Sequence, residues 1–351
     1  MIKEILEKLR SDDAYAVAKA RALVTVYHEV WGEKLAANYE ILDVEHEFQF
    51  PLLNPDTEAA SRSFDEAGKI DVKARDRRNG KIVVIEHKTT SDSVAPDSDY
   101  WDRLRMDTQC SKYYLAAAQD GEEVSGILYD VIGKPGQRPS LVPTLDKDGY
   151  KIVLGPDGFR VFTKDGKKPR ETGDAEKGWV VQGAIETPDQ FEARLLSVLR
   201  ESPGDYFAQR EVPRLASDLL EYMADTWALG QQLLYARQHT LWPRNPQACK
   251  MMGTCEMFDL CCGRASVDGV RYANRDKIHG ELTIQGGERQ LLTNSRANAY
   301  RRCARLHQLH YECGIQKVGD EDLNSALRFG SLVHLGLETY FLTLKQNQTK
   351  P

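Results

Sequence analysis

Two short runs carry residues that can do chemistry together: GKID (68–71) and EHK (86–88). The apolar run Ile82-Val83-Val84-Ile85 leads straight into Glu86-His87-Lys88. Charge is costly in a core unless it is paired or bound to a metal. If the two runs are adjacent antiparallel strands, Asp71 and Glu86 meet at one end of a sheet, where two carboxylates bind a hard cation such as Mg²⁺ or Mn²⁺ through oxygen. Side chains alternate along a strand, so Glu86 and Lys88 share a face and the His87 side chain points away. A lysine in that place can orient a water or stabilise charge developing on a phosphate. The triplet alone describes a surface hairpin with a salt bridge equally well.

The elements that must position these residues are legible in outline. Residues 1–35 carry apolar positions at helical spacing (Ile5 and Leu9, then Ala22, Val26 and Val30). YEILDVEHEFQFPL suggests a strand ending near Pro51. FDEAGKIDVKARD and KIVVIEHKTT, joined across Asn79-Gly80, predict a hairpin. DRLRMDTQCSKYYLAAAQD has helical composition, and GILYDVIG is another strand. Residues 136–183, rich in Gly, Lys, Asp and Pro, are expected to be an insertion of loop or small hairpins. Helices return over 187–240, and 263–290 is expected to be an irregular linker. The spacing predicts two last helices, in SRANAYRRCARLHQLHYECG and SALRFGSLVHLGLETYF.

Two further groups bear on function. Gln109 and Tyr113 stand at i and i+4, on one face of the helix after the hairpin. Of the chain's seven cysteines, four crowd one short window as Cys249, Cys255, Cys261 and Cys262. Such clustering points to metal or cluster ligation rather than disulfides.

In order and spacing, Asp71, Glu86-x-Lys88 and Gln109-x-x-x-Tyr113 resemble the PD-(D/E)XK nuclease superfamily, closest to its RecB-like exonuclease branch with CRISPR-associated and phage-encoded iron–sulfur members. The resemblance implies an α/β fold, a central mixed β-sheet flanked by helices (a restriction-endonuclease-like core), with a helical, cysteine-ligated cluster region. It implies that Asp71, Glu86 and a histidine hold Mg²⁺ or Mn²⁺, with the His87 carbonyl as a further ligand. Lys88 would position the attacking water, and Gln109 and Tyr113 the DNA strand. Cys249, Cys255 and Cys261 would join one earlier cysteine in ligating a [4Fe–4S] cluster. Cys262 is an equal candidate for the place of Cys261, and zinc is the alternative occupant.

The family begins with a cysteine-bearing helix and a histidine-bearing helix, and residues 1–60 hold no cysteine. The missing beginning resembles the far end of the chain, where Cys303 would be the fourth cluster ligand and His334 the metal ligand, with Glu338 one turn on. The chain therefore looks circularly permuted, its natural start and end joined near 280–292. A second, truncated copy or a site completed in trans is the alternative. The expected organisation is a nuclease core over 1–240, a cysteine-rich segment over 241–262, the linker, and helices over 291–345 that pack back onto the core. His28 and the His87 ring are expected to be structural, and Glu45 either to support the metal ligands or to be a strand-end charge. Arg103, Arg105 and Lys112 are candidates for phosphate contacts or equally for a solvated face, and Tyr100 and Trp101 for base stacking or equally for burial.

The formal net charge of −6 does not advertise a nucleic-acid binder, though a local basic groove can coexist with an acidic total. No run of eighteen apolar residues and no basic-then-apolar start is present, so neither a membrane span nor a secretion signal is expected. The expectation is a cytoplasmic enzyme of a bacterial or phage-infected cell, acting on DNA ends in recombination or repair, alone, as a homo-oligomer or with a recombination partner. Its rivals are a non-cleaving DNA-binding or assembly module of the same fold, and an endonuclease with structural zinc.

Overall fold

The computed structural model describes residues 2–251, 253–284, 286–318 and 325–349. Two helices open the chain, α1 (Ile2–Lys8) and α2 (Ala14–Asn38). The Asp13 carboxylate caps α2 by accepting from the N–H groups of Tyr15 and Ala16. Three strands follow, β1 (Tyr39–Leu53), β2 (Ala60–Asp76) and β3 (Ile82–Thr90). The turn between β2 and β3 needs Gly80 at φ 75°, the left-handed region that glycine enters without steric cost.

After α3 (Asp99–Asp102) comes α4 (Thr108–Ala117), then β4 (Val124–Gly133). Residues 136–183 hold small paired strands: β5 (Leu141–Pro143) bonds β8 (Gly183–Ile185), and β6 (Val153–Leu154) bonds β7 (Val180–Val181). Then come α5 (Pro188–Glu201), β9 (Phe207–Val212) and α6 (Ala216–Gln238). The remaining elements are α7 (Phe258–Cys261), β10 (Tyr272–Asn274), β11 (Gln290–Leu292), α8 (Asn294–Arg302), α9 (Ala304–His307), β12 (Ile315–Lys317) and α10 (Ser325–Gln348).

The main sheet is mixed, in the order β1-β2-β3-β4-β9, with β11 added against β2. β3 and β4 run parallel, as do β11 and β2, while the other pairs are antiparallel. Apolar side chains leave both faces. On one side Val83, Ile85 and Leu128 pack with Leu23 and Tyr27 of α2, Leu195 of α5 and Val333 and Phe341 of α10. On the other, Val84, Ile127 and Tyr129 pack with Tyr113 and Ala117 of α4. The architecture is α/β, a mixed sheet between helices. Among the described residues, no helix is long and apolar enough to cross a membrane.

One edge of β2 is shared. β3 pairs with it only over Val72–Arg75, and β11 only over Phe64–Glu66. The backbone between these ladders, residues 67–71, faces a gap, and Asp71 stands at its rim.

Two expectations about the far end of the chain need correction. The helix expected around 294–313 is broken: Cys303 is extended (φ −166°, ψ 117°), separating α8 from α9, and a π-helical turn follows over Gln308–Glu312. Helical periodicity cannot reveal such a break, because the apolar positions continue across it. The stretch 263–290 is also not wholly irregular, since β10 pairs with β12 there.

Candidate active site

The ladder between β2 and β3 closes at Val72 and Ile85, one step short of Asp71 and Glu86. Beyond that point the strands separate, and side-chain contacts replace the ladder. The His87 backbone N–H donates to Asp71 Oδ2 at 2.8 Å. Glu86 is only 2% exposed. Its Oε1 accepts from Lys88 Nζ at 2.5 Å, and its Oε2 is buried with no hydrogen-bond partner. Burial, with the Asp71 carboxylate nearby, pushes Glu86 up to about 8. Burial alone would lower the Lys88 ammonium, but Glu86 and Asp71 more than offset that and raise it.

Helix α4 brings the next pair. Gln109 Oε1 accepts from Lys88 Nζ at 2.9 Å, and its Nε2 donates to Tyr113 Oη at 2.7 Å. The helix start is fixed from beneath: Asp107 accepts from the Gln109 N–H at 2.8 Å, its other oxygen accepts from Tyr129 Oη, and Arg214 donates to the carbonyls of Leu104 and Asp107.

Helix α10 supplies His334, whose Nδ1 stands 4.0 Å from Asp71 Oδ2. Burial lowers His334, with the Asp71 carboxylate opposing. Opposite Asp71 on β1, Glu45 adopts φ 54°, a region that costs a non-glycine residue about 1–2 kcal/mol. Its carboxylate pairs with Lys69. Burial raises Glu45, with Glu338 adding a smaller push, and Lys69 is raised against its burial chiefly by Glu45.

Asp71, Glu86, Lys88, Gln109, Tyr113 and His334 are thus joined by contacts at the end of β3. A model of the PD-(D/E)XK nuclease superfamily matches residues 1–245 and 292–351. The chain belongs to that superfamily.

No curated protein matches the chain. One solved structure, "Crystal structure of SSO0001", is similar at 12% identity and a TM-score of 0.19, over 64% of this chain and 92% of that one. PD-(D/E)XK nucleases typically use Mg²⁺ or Mn²⁺, and the donors here suit such a cation. Asp71 stands 4.0 Å from the His334 imidazole, and the neighbouring Glu86 carries a buried oxygen without a hydrogen-bond partner. As they stand, no three His, Cys, Asp or Glu side chains among the described residues group tightly enough to hold one metal ion.

A second place in this nuclease gathers sulfur. Cys249, Cys255, Cys261, Cys262 and Cys303 all line one cavity of about 240 Å³, closed by Met257, Phe258, Leu306 and Leu309. The extended backbone of Cys303 delivers its thiol there, and the Asn245 N–H donates to that Sγ at 3.4 Å. Cys255, Cys261 and Cys303 pack against the neighbouring apolar cluster, whereas Cys262 is exposed.

Several side chains depart from the phosphate and base contacts considered for them. Lys112 is 2% exposed and donates to the Leu292 carbonyl at 2.7 Å, with Glu66 at 3.5 Å. It ties α4 to β11 and β2 and is unavailable to a phosphate. Trp101 is buried, its Nε1 donating to the Ala95 carbonyl, so it does not offer a stacking face. Arg103 pairs with Asp92 at the surface, and the Arg105 side chain lies outside the described residues. The His28 ring meets Tyr340 Oη at 3.2 Å. Sequence reasoning missed Lys69 and the buried partners of the His87 ring. Lys69, two residues before Asp71 and on the same face, was the one with a readable signal.

Proposed function

We propose that the protein is a divalent-metal-dependent deoxyribonuclease that degrades DNA from its ends. The observation that carries this reading is the meeting of Asp71, Glu86, Lys88 and Gln109 at one strand end, with His334 arriving from α10. Asp71, Glu86 and His334, with the His87 carbonyl, would hold Mg²⁺ or Mn²⁺, which supplies Lewis-acid polarisation of the scissile phosphate when bound. Lys88, held between Glu86 and Gln109, orients the attacking water and neutralises charge growing on the phosphate oxygens. Gln109 and Tyr113 place the strand against it.

We infer end-directed action, in recombination or repair, from the resemblance of the motifs to those of RecB-like exonucleases. Supercoiled or nicked circles and the same DNA linearised separate the alternatives. The linear form should disappear while the circles persist. Loss of circles at a similar rate would make the enzyme an endonuclease.

For the cysteine cavity we favour a [4Fe–4S] cluster over zinc. The preference rests on the resemblance, and a cavity of about 240 Å³ leaves room for a multi-atom group. Cys261, packed inward, is the better third ligand than exposed Cys262, alongside Cys249, Cys255 and Cys303. Anaerobically purified protein should contain iron and acid-labile sulfide, lost in Cys303→Ser and Cys261→Ser but kept in Cys262→Ser. One zinc per chain without sulfide would reverse the assignment.

The order of segments is read as a circular permutation. The family match resumes at 292 after a break from 246 to 291. The end of α10 also meets the beginning of β1: Gln348 accepts from the Ile41 N–H at 2.9 Å and donates to the Tyr39 carbonyl at 2.7 Å. A chain running from the histidine helix into the first strand would pass there.

A further inference from the structure

The ring of His87 points away from the opening, into a buried polar network that belongs to no motif. Its Nδ1 stands 3.0 Å from Oδ2 of Asp130, the residue beside it in the parallel β3–β4 ladder, a close polar contact although neither ring nitrogen meets hydrogen-bond geometry. Tyr27 Oη, from α2, donates to the same oxygen, and Gln209 Nε2, from β9, donates to Asp130 Oδ1 at 3.2 Å. Asp130 and Tyr27 are 0% exposed and His87 is 3% exposed. A carboxylate buried this completely is held only where its surroundings supply polar partners for it. Here four elements, α2, β3, β4 and β9, converge on one carboxylate.

The middle residue of Glu86-x-Lys88 needs no polar side chain to serve as a strand residue; packing would hold an apolar one. What the network adds is a fixed far end for the His87 side chain. Phe341 packs on the ring at a centroid distance of 5.0 Å, and the His334 ring meets it edge-on at 6.4 Å. On the other side of the same residue, the backbone N–H holds Asp71. His87 therefore touches Asp71 by hydrogen bond, Glu86 by covalent neighbourhood and His334 by ring contact. A ligand set must be held to about 0.5 Å and 10–20° to work, and residues behind it set that tolerance.

We propose that Asp130, with Tyr27, is a positioning residue: through the His87 side chain it fixes the peptide that orients Asp71 and Glu86 and so sets the affinity for the divalent cation. The proposal rests on the reading of Asp71 and Glu86 as metal ligands. Partners behind metal ligands commonly change metal affinity about 10–100-fold when removed.

The test is Mn²⁺ binding to the full chain, followed by the free-Mn²⁺ electron paramagnetic resonance signal without DNA, beside thermal unfolding. Asp130→Asn keeps the shape of the side chain and removes its charge. Tyr27→Phe keeps the aromatic packing against Phe207 and Tyr340 and removes one donor, and it serves if the first variant does not fold. Both should weaken Mn²⁺ binding, Asp130→Asn about tenfold or more, while the KM for DNA changes less than about twofold at saturating metal. Folded variants that bind Mn²⁺ like the parent, even with a lowered Tm, would overturn the proposal and leave the network a purely structural one. Failure of the unmodified protein to bind Mn²⁺ would instead overturn the ligand assignment beneath it.

Discussion

Lys88 Nζ and Gln109 Oε1 lie 2.9 Å apart, joining the end of β3 to the first turn of α4 across twenty-one residues of chain. The same ammonium is held by Glu86 on its other side. A flexible four-carbon side chain is thereby given one place to stand, as a group acting on a reacting phosphate needs.

Replacing Gln109 by Leu should therefore cost rate more than stability. Half-buried Lys88 and buried Tyr113 would each lose a partner, and kcat should fall about 10–100-fold with only a modest fall in Tm. Single-turnover cleavage beside thermal unfolding checks this. An unchanged rate would show that the contact does no positioning.

Glu45 offers a test in stability alone. At φ 54° a glycine is unstrained where alanine is not, so Glu45→Gly should be more stable than Glu45→Ala by about 1 kcal/mol. That inverts the usual order of the two residues inside a strand. Urea unfolding of the pair decides it, and equal or greater stability of the alanine variant would remove the claim of strain opposite Asp71.

Most of the candidate site was legible in the sequence, because its residues sit on periodic elements. Asp71, Glu86 and Lys88 follow from strand alternation, and Gln109 and Tyr113 from one helical turn. His334 was reachable only because Cys303 stands shortly before it. What stayed hidden depends on contacts between distant segments. Tyr27 and Asp130 are unremarkable in their own strand and helix, and only the folded sheet brings them to His87. Lys112 looked like one more surface cation until β11 was found closing over it. The bend at Cys303 escaped because backbone direction, unlike hydrophobic spacing, leaves no mark in residue type.

Acid should act through His307. Burial and the Arg296 guanidinium beside it push this histidine down to about 3, from an ordinary value of 6.5. The folded protein keeps it neutral, while the unfolded chain binds a proton below about 6.5. Its contribution to stability is thus fully present above that pH and lost as pH falls toward 3, by at most about 1.4 kcal/mol per pH unit. Urea midpoints measured from neutral pH to about 4.5 should fall less steeply in His307→Gln than in the parent. Parallel slopes would mean that other groups carry the acid sensitivity.

The central claim is that Lys88 works beside a divalent cation held by Asp71 and Glu86. The measurement that tests it most directly is cleavage of end-labelled single- and double-stranded DNA with Mg²⁺, Mn²⁺ or EDTA, by the parent and by Lys88→Ala. Loss of label should require the metal and vanish in the folded variant, with the labelled end giving the polarity. A folded parent protein that binds DNA and leaves every substrate intact, or a variant that cleaves as fast as the parent, would contradict it.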